Sequence, residues 1–224
     1  MNATQYKIYI ADVIRRVESA RLKVSPHHIV KIVAISKYST SDEIKKLYEI
    51  GQRAYGENKV QDLKEKAKEL EDLPLEWHFV GNLQKNKINN LLDIHPALFH
   101  ALDSIELALE LQKKLEARNM TLDALLQINS AKEESKHGIM PELACGTYAQ
   151  IKKKCPNINL KGVMSIGAHN EDQEIIKKSF ETTYAIYKQC DGATICSMGM
   201  SGDFELAIEC GSNMIRLGSV MFDK

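Results

Sequence analysis

IVKIVAISK, residues 29–37, reads as an apolar strand that ends in a lysine. Ile29, Val30, Ile32, Val33 and Ile35 are β-branched and nearly continuous, the pattern of a parallel strand buried on both faces. In two-fold alternation Val33, Ile35 and Lys37 share one side, so if the first two line a core the lysine closes it at the C-terminal rim. An ammonium at an apolar rim loses hydration, which favours the neutral amine able to attack an aldehyde and form a Schiff base. Taken alone, a lysine ending a strand is most often solvated. The weight given to Lys37 comes from the rest of the chain.

Upstream, Tyr6, Ile10, Val13, Val17, Ala20 and Val24 recur at steps of three and four, which predicts one amphipathic helix over residues 3–25, closed by Ser25-Pro26. Downstream, Thr40-Ser41-Asp42-Glu43 reads as a capping box opening a helix that ends near Gly51. The strand, loop and helix unit then repeats. Further strands are expected at 53–56, 76–80, 98–102, 122–128, 160–166, 193–196 and 214–217. Between them, helices are expected from Asn58 to about 73, from Gly81 to about 92, from a second capping box at Asp103-Ser104-Ile105-Glu106 to 120, from Pro141, over 171–189 and over 203–210. Eight strands, each followed by a helix at a pitch of roughly 20 to 35 residues, predict an α/β fold of one class, a single (β/α)8 TIM barrel with an extra N-terminal helix. The runner-up is an open doubly wound sheet, disfavoured because G-x-G-x-x-G is absent after the first strand. No Pro/Gly/Ser-rich linker interrupts residues 1–224, so one domain is expected, with residues 1–25 packed on the barrel.

Thirty basic residues cancel thirty acidic ones, and no basic stripe is interleaved with aromatics, so a nucleic-acid partner is not expected. The start, MNATQYKIYIADVIRR, lacks the apolar run of a signal peptide, and nowhere do eighteen apolar residues run together, so a cytoplasmic protein without a membrane partner is expected. The five cysteines are odd in number and form no CxxC pair, which fits reduced thiols better than a zinc site or a disulfide framework.

In a barrel of this kind function sits at the C-terminal ends of the strands, and the loops after strands seven and eight commonly hold a phosphate. Here those loops are Ser197-Met198-Gly199-Met200-Ser201-Gly202-Asp203 and Gly218-Ser219. Small residues let backbone N–H groups approach an anion, and Ser201 and Ser219 add hydroxyl donors. Barrel closure puts strand eight beside strand one, so these loops, Arg216 and Lys37 should converge on one mouth. A lysine amine, a phosphate cradle and an arginine describe a pyridoxal 5′-phosphate (PLP) site: imine, anion and a partner for the ring nitrogen. Arg216 can only donate to an unprotonated nitrogen, which leaves the ring a weak electron sink and disfavours transaminase-type chemistry. As ordinary alternatives, His78 is a satisfied core histidine, Lys85, Lys87 and Lys136 are solvated charges, and Tyr184 and Tyr187 are packing groups.

AISK around Lys37, YGENKVQD (55–62), WHFVGNLQKNK (77–87), ESKHGI (134–139), SMGMSGDFELAI (197–208) and IRLGSVMF (215–222), in that order, resemble the YggS/PROSC family of PLP-binding proteins, whose barrel is similar to the N-terminal domain of alanine racemases. The resemblance implies Lys37 as the imine lysine, Ser201 with Gly218 and Ser219 as phosphate binders, and Arg216 near the pyridine nitrogen. Asn58 and His78 fall in motifs that line the same mouth, and Met200 belongs to the phosphate loop. A PLP-binding protein of PLP homeostasis is expected, without established catalytic activity, monomeric, with PLP-dependent apoenzymes as candidate partners. The alternative is a small amino-acid racemase of the alanine racemase-like fold. A barrel acting on a sugar phosphate through a Schiff-base lysine is disfavoured, because such a lysine usually lies in a middle strand.

Overall fold

Eight short segments form strands, each followed along the chain by a helix or, after the last, by a single helical turn. In the computed structural model, which describes residues 3–133 and 136–222, they are β1 (Lys31–Ile35), β2 (Ala54–Glu57), β3 (Glu76–Phe79), β4 (Leu98–Leu102), β5 (Leu122–Ile128), β6 (Ile158–Ser165), β7 (Ile195–Ser197) and β8 (Met214–Leu217). All pair in parallel with their sequence neighbours, and β8 returns to β1, so the sheet is a closed barrel. The closing register sets Val33 opposite Arg216 and Ala34 opposite Leu217. The helices are α1 (Ala3–Val24), α2 (Ser41–Glu49), α3 (Val60–Glu69), α4 (Ile88–Leu92), α5 (Ile105–Ala117), α6 (Pro141–Lys154), α7 (Gln173–Gln189), α8 (Phe204–Glu209) and the single turn α9 (Ser219–Phe222).

The expected N-terminal helix is present and packs across α8. Ile10, Val13, Val17 and Ala20 are buried, Arg16 and Lys23 pair with Glu205 and Glu209, and the Tyr6 hydroxyl donates to the Met221 carbonyl at 2.7 Å. Val24, predicted on the same face, is exposed at the helix end.

Local chemistry explains where boundaries differ from expectation. The Thr40 box forms as read, with Thr40 N–H donating to Glu43 at 2.7 Å and Glu43 N–H to the Thr40 hydroxyl at 3.3 Å. At Ser104 only half a box exists: the hydroxyl accepts from Leu107 N–H at 3.2 Å, and Glu106 stands one position too early to reach back. The fourth helix is shorter than predicted, because residues 81–84 form a loop before a 3-10 turn at Lys85–Lys87. Gly81 explains that loop: a Cβ there would lie 2.0 Å from the Asn58 carbonyl oxygen, so strand ends two and three touch through backbone. β6 starts two residues early, since Ile158 and Leu160 alternate inward around exposed Asn159, a period hidden by the polar run. Cys155, Cys190 and Cys196 are buried and all five thiols are free; burial raises the pKa of Cys190 and of Cys196 to about 12. Among the described residues no helix is long and apolar enough to cross a membrane, and no group of three or more His, Cys, Asp or Glu side chains could hold a metal.

The barrel interior is not wholly apolar. Lys31 pairs with Glu76 at the N-terminal end. Glu76 accepts from His78 Nε2 at 2.9 Å, and His78 Nδ1 meets His100 Nε2 at 2.8 Å. Both rings are buried. Glu76 is ionised, its pKa held down to about 2 chiefly by the His78 bond and by the Lys31 bond against burial. With both imidazoles neutral a single proton arrangement satisfies these bonds: His78 donates through Nε2, His100 donates through Nε2, and His100 Nδ1 keeps a buried lone pair, which has no partner.

Burial lowers the pKa of His78 and lowers that of His100 much further. A depressed folded-state pKa gives stability that is present above the unfolded value near 6.5 and is lost as pH falls. Denaturant or thermal unfolding from pH 8 to 5 should therefore show stability declining below about pH 6.5, with a slope approaching about 1.4 kcal/mol per pH unit for each ring that stays neutral in the fold. His78→Leu combined with His100→Leu should flatten that decline. A flat wild-type profile over the same range would contradict the neutral pair.

Candidate functional site

The C-terminal ends of the strands surround a cavity of about 580 Å³, within the usual range for small-molecule sites. Lys37 and Tyr38 reach it from the turn after β1, Asn58 from the end of β2, Met200, Ser201 and Gly202 from the loop after β7, Arg216 from β8, and Gly218 and Ser219 from the turn beyond it. Ile35, Val80, Met164, Ile166 and Phe222 supply apolar walls. Lys37, Asn58, Met200, Ser201, Arg216, Gly218 and Ser219 thus share one space, as expected. His78 is the correction. It points into the barrel between Glu76 and His100 and does not line the cavity, so the core-histidine reading holds in place of a contact at the mouth.

Alternation along β1 carries Val33 and Ile35 to the barrel interior, where a Cβ on Gly56 would come within 3.3 Å of the first and 2.5 Å of the second. Strand pairing stops at Ile35, and residues 36–39 form a turn closed by Ser39 N–H to the Ser36 carbonyl at 2.8 Å. Lys37 therefore sits on a turn two residues past the strand. Its side chain is exposed, with Nζ 5.0 Å from the Tyr38 ring centroid, so the dry rim expected from the sequence is not formed around it.

Beside β1, the two loops of the predicted anion cradle are tied together: Gly218 N–H donates to the Ser201 hydroxyl oxygen at 3.1 Å. Gly199 has a φ of 94° and packs so closely on α8 that a Cβ would lie 2.7 Å from that of Ala207, which lets the chain turn from β7 into the cradle. Asp203 closes the loop by accepting from Met200 N–H at 2.6 Å, and burial raises its pKa.

Arg216 is held rigidly. It is buried, and one guanidinium nitrogen donates to the Ser197 carbonyl at 3.0 Å and hydroxyl at 2.7 Å while the other donates to the Ser165 carbonyl at 2.8 Å. Burial pulls its pKa down to about 10, partly offset by Asp203, and it remains a charged donor at neutral pH. The bracing of Arg216 by Ser165 and Ser197 has no signal in the sequence, where Ser197 reads only as the start of the β7 loop, since a serine ending a strand carries no mark of the arginine that it braces.

Lys136 donates to Glu133 at 2.9 Å and to the Gly167 carbonyl at 2.8 Å, so it is a tethered loop residue. It lines an adjoining chamber with Gln127 and Asn129 that shares Asn58, Val80 and Ile166 with the main cavity. Glu134 and Ser135 of the ESKHGI segment lie outside the described residues. Lys85 and Lys87 are exposed, and Tyr184 stacks on Tyr187 at 5.8 Å, as expected of surface charges and packing groups.

A model of the alanine racemase N-terminal domain matches residues 15–223. The chain is 54% identical over 217 residues to a pyridoxal phosphate homeostasis protein of Helicobacter pylori (strain J99), covering 97% of this chain and 98% of that one. Among solved structures, PipY of Synechococcus elongatus with PLP bound aligns at a TM-score of 0.80 and 30% identity, over 93% of this chain and 98% of that one. An alanine racemase of Clostridium difficile aligns at a TM-score of 0.72 and 13% identity, over 92% of this chain and 55% of that one, a likeness of fold. Matched along nearly its whole length, the chain belongs to the family of pyridoxal phosphate homeostasis proteins, the YggS/PROSC group built on the alanine racemase N-terminal barrel.

Proposed function

We propose that this protein binds PLP as a Schiff base on Lys37 and serves PLP homeostasis rather than turnover of amino acids. The observation that carries the reading is the Ser201–Gly218 bond, which joins the two strand-end loops into one cradle in the same cavity as Lys37 and Arg216.

The residues present fit the cofactor. Hydroxyls of Ser201 and Ser219 and the N–H groups of the Gly218 turn form a donor set suited to a phosphate. Val80, Met164 and Ile166 are apolar walls suited to an aromatic ring. Arg216, fixed by Ser165 and Ser197, can donate to a ring nitrogen and cannot take its proton. When bound, PLP supplies an aldehyde for reversible attachment to amines and a ring able to withdraw electrons. The chain supplies the Lys37 amine, the donors, and an arginine that keeps the ring nitrogen unprotonated and the ring a weak sink. Asn58 and Met200 complete the rim of the mouth. One chain supplies every residue of the site, so a monomer suffices, and PLP-dependent apoenzymes are the receiving partners in this reading.

Racemisation needs a proton-moving group on each face of a bound amino acid. Among the described residues lining the main cavity, the amine of Lys37 and the phenol of Tyr38 are the candidate acid–base groups, and they are neighbours on one turn. That arrangement favours a holder over a racemase.

The protein purified with PLP should be yellow, and borohydride should fix a pyridoxyl group to the peptide containing Lys37; Lys37→Ala with unchanged spectrum and affinity would rule the assignment out. Ser201→Ala should weaken PLP binding by roughly 1 to 3 kcal/mol, the range for a hydrogen bond to a charged group. Titration with pyridoxal, which lacks the phosphate, should show much weaker binding than PLP, and equal affinities would remove the basis for the cradle. Across a panel of amino acids in deuterated water, Cα–H exchange and chiral analysis should show no inversion at a metabolically useful rate. Rapid exchange with inversion that disappears in Lys37→Ala would establish the racemase reading instead.

A further inference from the structure

Behind the Lys37 turn lies a buried ion pair that the binding site does not use. Glu57, the last residue of β2, turns its side chain away from the barrel toward α3 and is fully buried. Its Oε1 accepts from Lys66 Nζ at 2.6 Å and from the Ser36 hydroxyl at 2.7 Å, while Oε2 is buried without a partner. Lys66, on α3, reaches further and donates to the Ser36 carbonyl at 2.7 Å. Ser36 is itself fully buried, and its N–H donates to the Gly56 carbonyl at 2.9 Å.

Burying two charges costs desolvation that their attraction barely offsets, so an ion pair of this kind is a poor device for stability alone. Its geometry suits another task. Ser36 immediately precedes Lys37, and its carbonyl accepts from both Lys66 and the Ser39 N–H that closes the turn. Among the described residues no hydrogen bond holds the Lys37 ammonium, which lies against the Tyr38 ring, so the backbone of the turn that begins at Ser36 fixes where its stem starts. We infer that Lys66 and Glu57 are positioning residues for Lys37: they clamp the Ser36 peptide so that the turn aims the Lys37 amine into the cavity. The inference rests on the proposed Schiff base at Lys37. That step joins the Lys37 nitrogen to the aldehyde carbon and releases water, and its equilibrium depends on where the nitrogen is held.

The test compares PLP with pyridoxine 5′-phosphate, which carries an alcohol in place of the aldehyde, fills the same cavity and cannot join Lys37. In Glu57→Gln combined with Lys66→Met, which removes both charges so that neither is left buried alone, the PLP to pyridoxine 5′-phosphate affinity ratio should fall about tenfold, a part of the roughly hundredfold that a misplacement of about 1 Å can cost. Rapid-mixing absorbance should show slower Schiff-base formation, and Lys66→Arg, which keeps the cation, should retain most of the wild-type ratio. Should the double variant not fold, Ser36→Ala carries the same measurement, with a smaller drop in the ratio expected. A ratio unchanged from wild type in the variant that folds, whether both affinities fall together or neither falls, would overturn the positioning role. Lys37→Ala is measured alongside: if it binds PLP as wild type does, the Schiff-base reading fails and this inference with it, whereas loss in Lys37→Ala with an unchanged ratio in the Glu57 and Lys66 variant overturns the positioning alone.

Discussion

Parallel pairing of β8 with β1 closes the sheet into a barrel. It sets Val33 opposite Arg216, and because successive residues alternate between the faces of a strand, that register decides which side chains enter the barrel and which groups emerge together at its end. A shift of one residue would turn Arg216 outward and bring Leu217 in. The turn bearing Lys37 and the turn bearing Gly218 and Ser219 are neighbours because their strands are, although they stand at opposite ends of the sequence.

A second consequence of closure is that polar groups inside the barrel must find partners there. Glu76, His78 and His100 form a chain of hydrogen bonds at the N-terminal side, and Arg216 is braced by Ser197 and Ser165 toward the mouth. Each set fixes side-chain orientation in a space where a misdirected donor would be costly. The interior therefore combines apolar packing from residues such as Val33 with a small number of polar contacts that are satisfied in one arrangement, apart from His100 Nδ1.

Local patterns were legible in the sequence where a single segment carries the whole signal. The strand at 31–35, the Thr40 box and the Gly/Ser loops after β7 and β8 each announce themselves within a few residues, although the β-branched run overstates the strand, since Ile29 is exposed ahead of it; their order around a closed sheet places seven of the expected site residues in one cavity. Features that depend on distant partners were not legible. His78 looked like a candidate for the mouth because its motif leads there, yet its partner His100 lies 22 residues away on the next strand. The braces on Arg216 come from 19 and 51 residues earlier, and no spacing in the chain relates them. Lys66 stands nine residues beyond Glu57 on a helix of many charges, where its buried ion pair resembles a surface one. The missing half of the Ser104 box and the loop at 81–84 are finer cases: one carboxylate in the wrong register, and one backbone contact that excludes a Cβ.

The bond between Ser201 and Gly218 also bears on how readily a ligand leaves. One donor of the cradle, the Gly218 N–H, is already engaged by the Ser201 oxygen, a bond that leaves the Ser201 hydroxyl hydrogen free to donate. In the proposed site a phosphate would compete with the Ser201 oxygen for the Gly218 N–H, and on its departure that bond would form again, an exchange between two hydrogen-bonded states that differ by on the order of 1 kcal/mol. A site that heals itself on release has a lower barrier to emptying than one left with stranded donors.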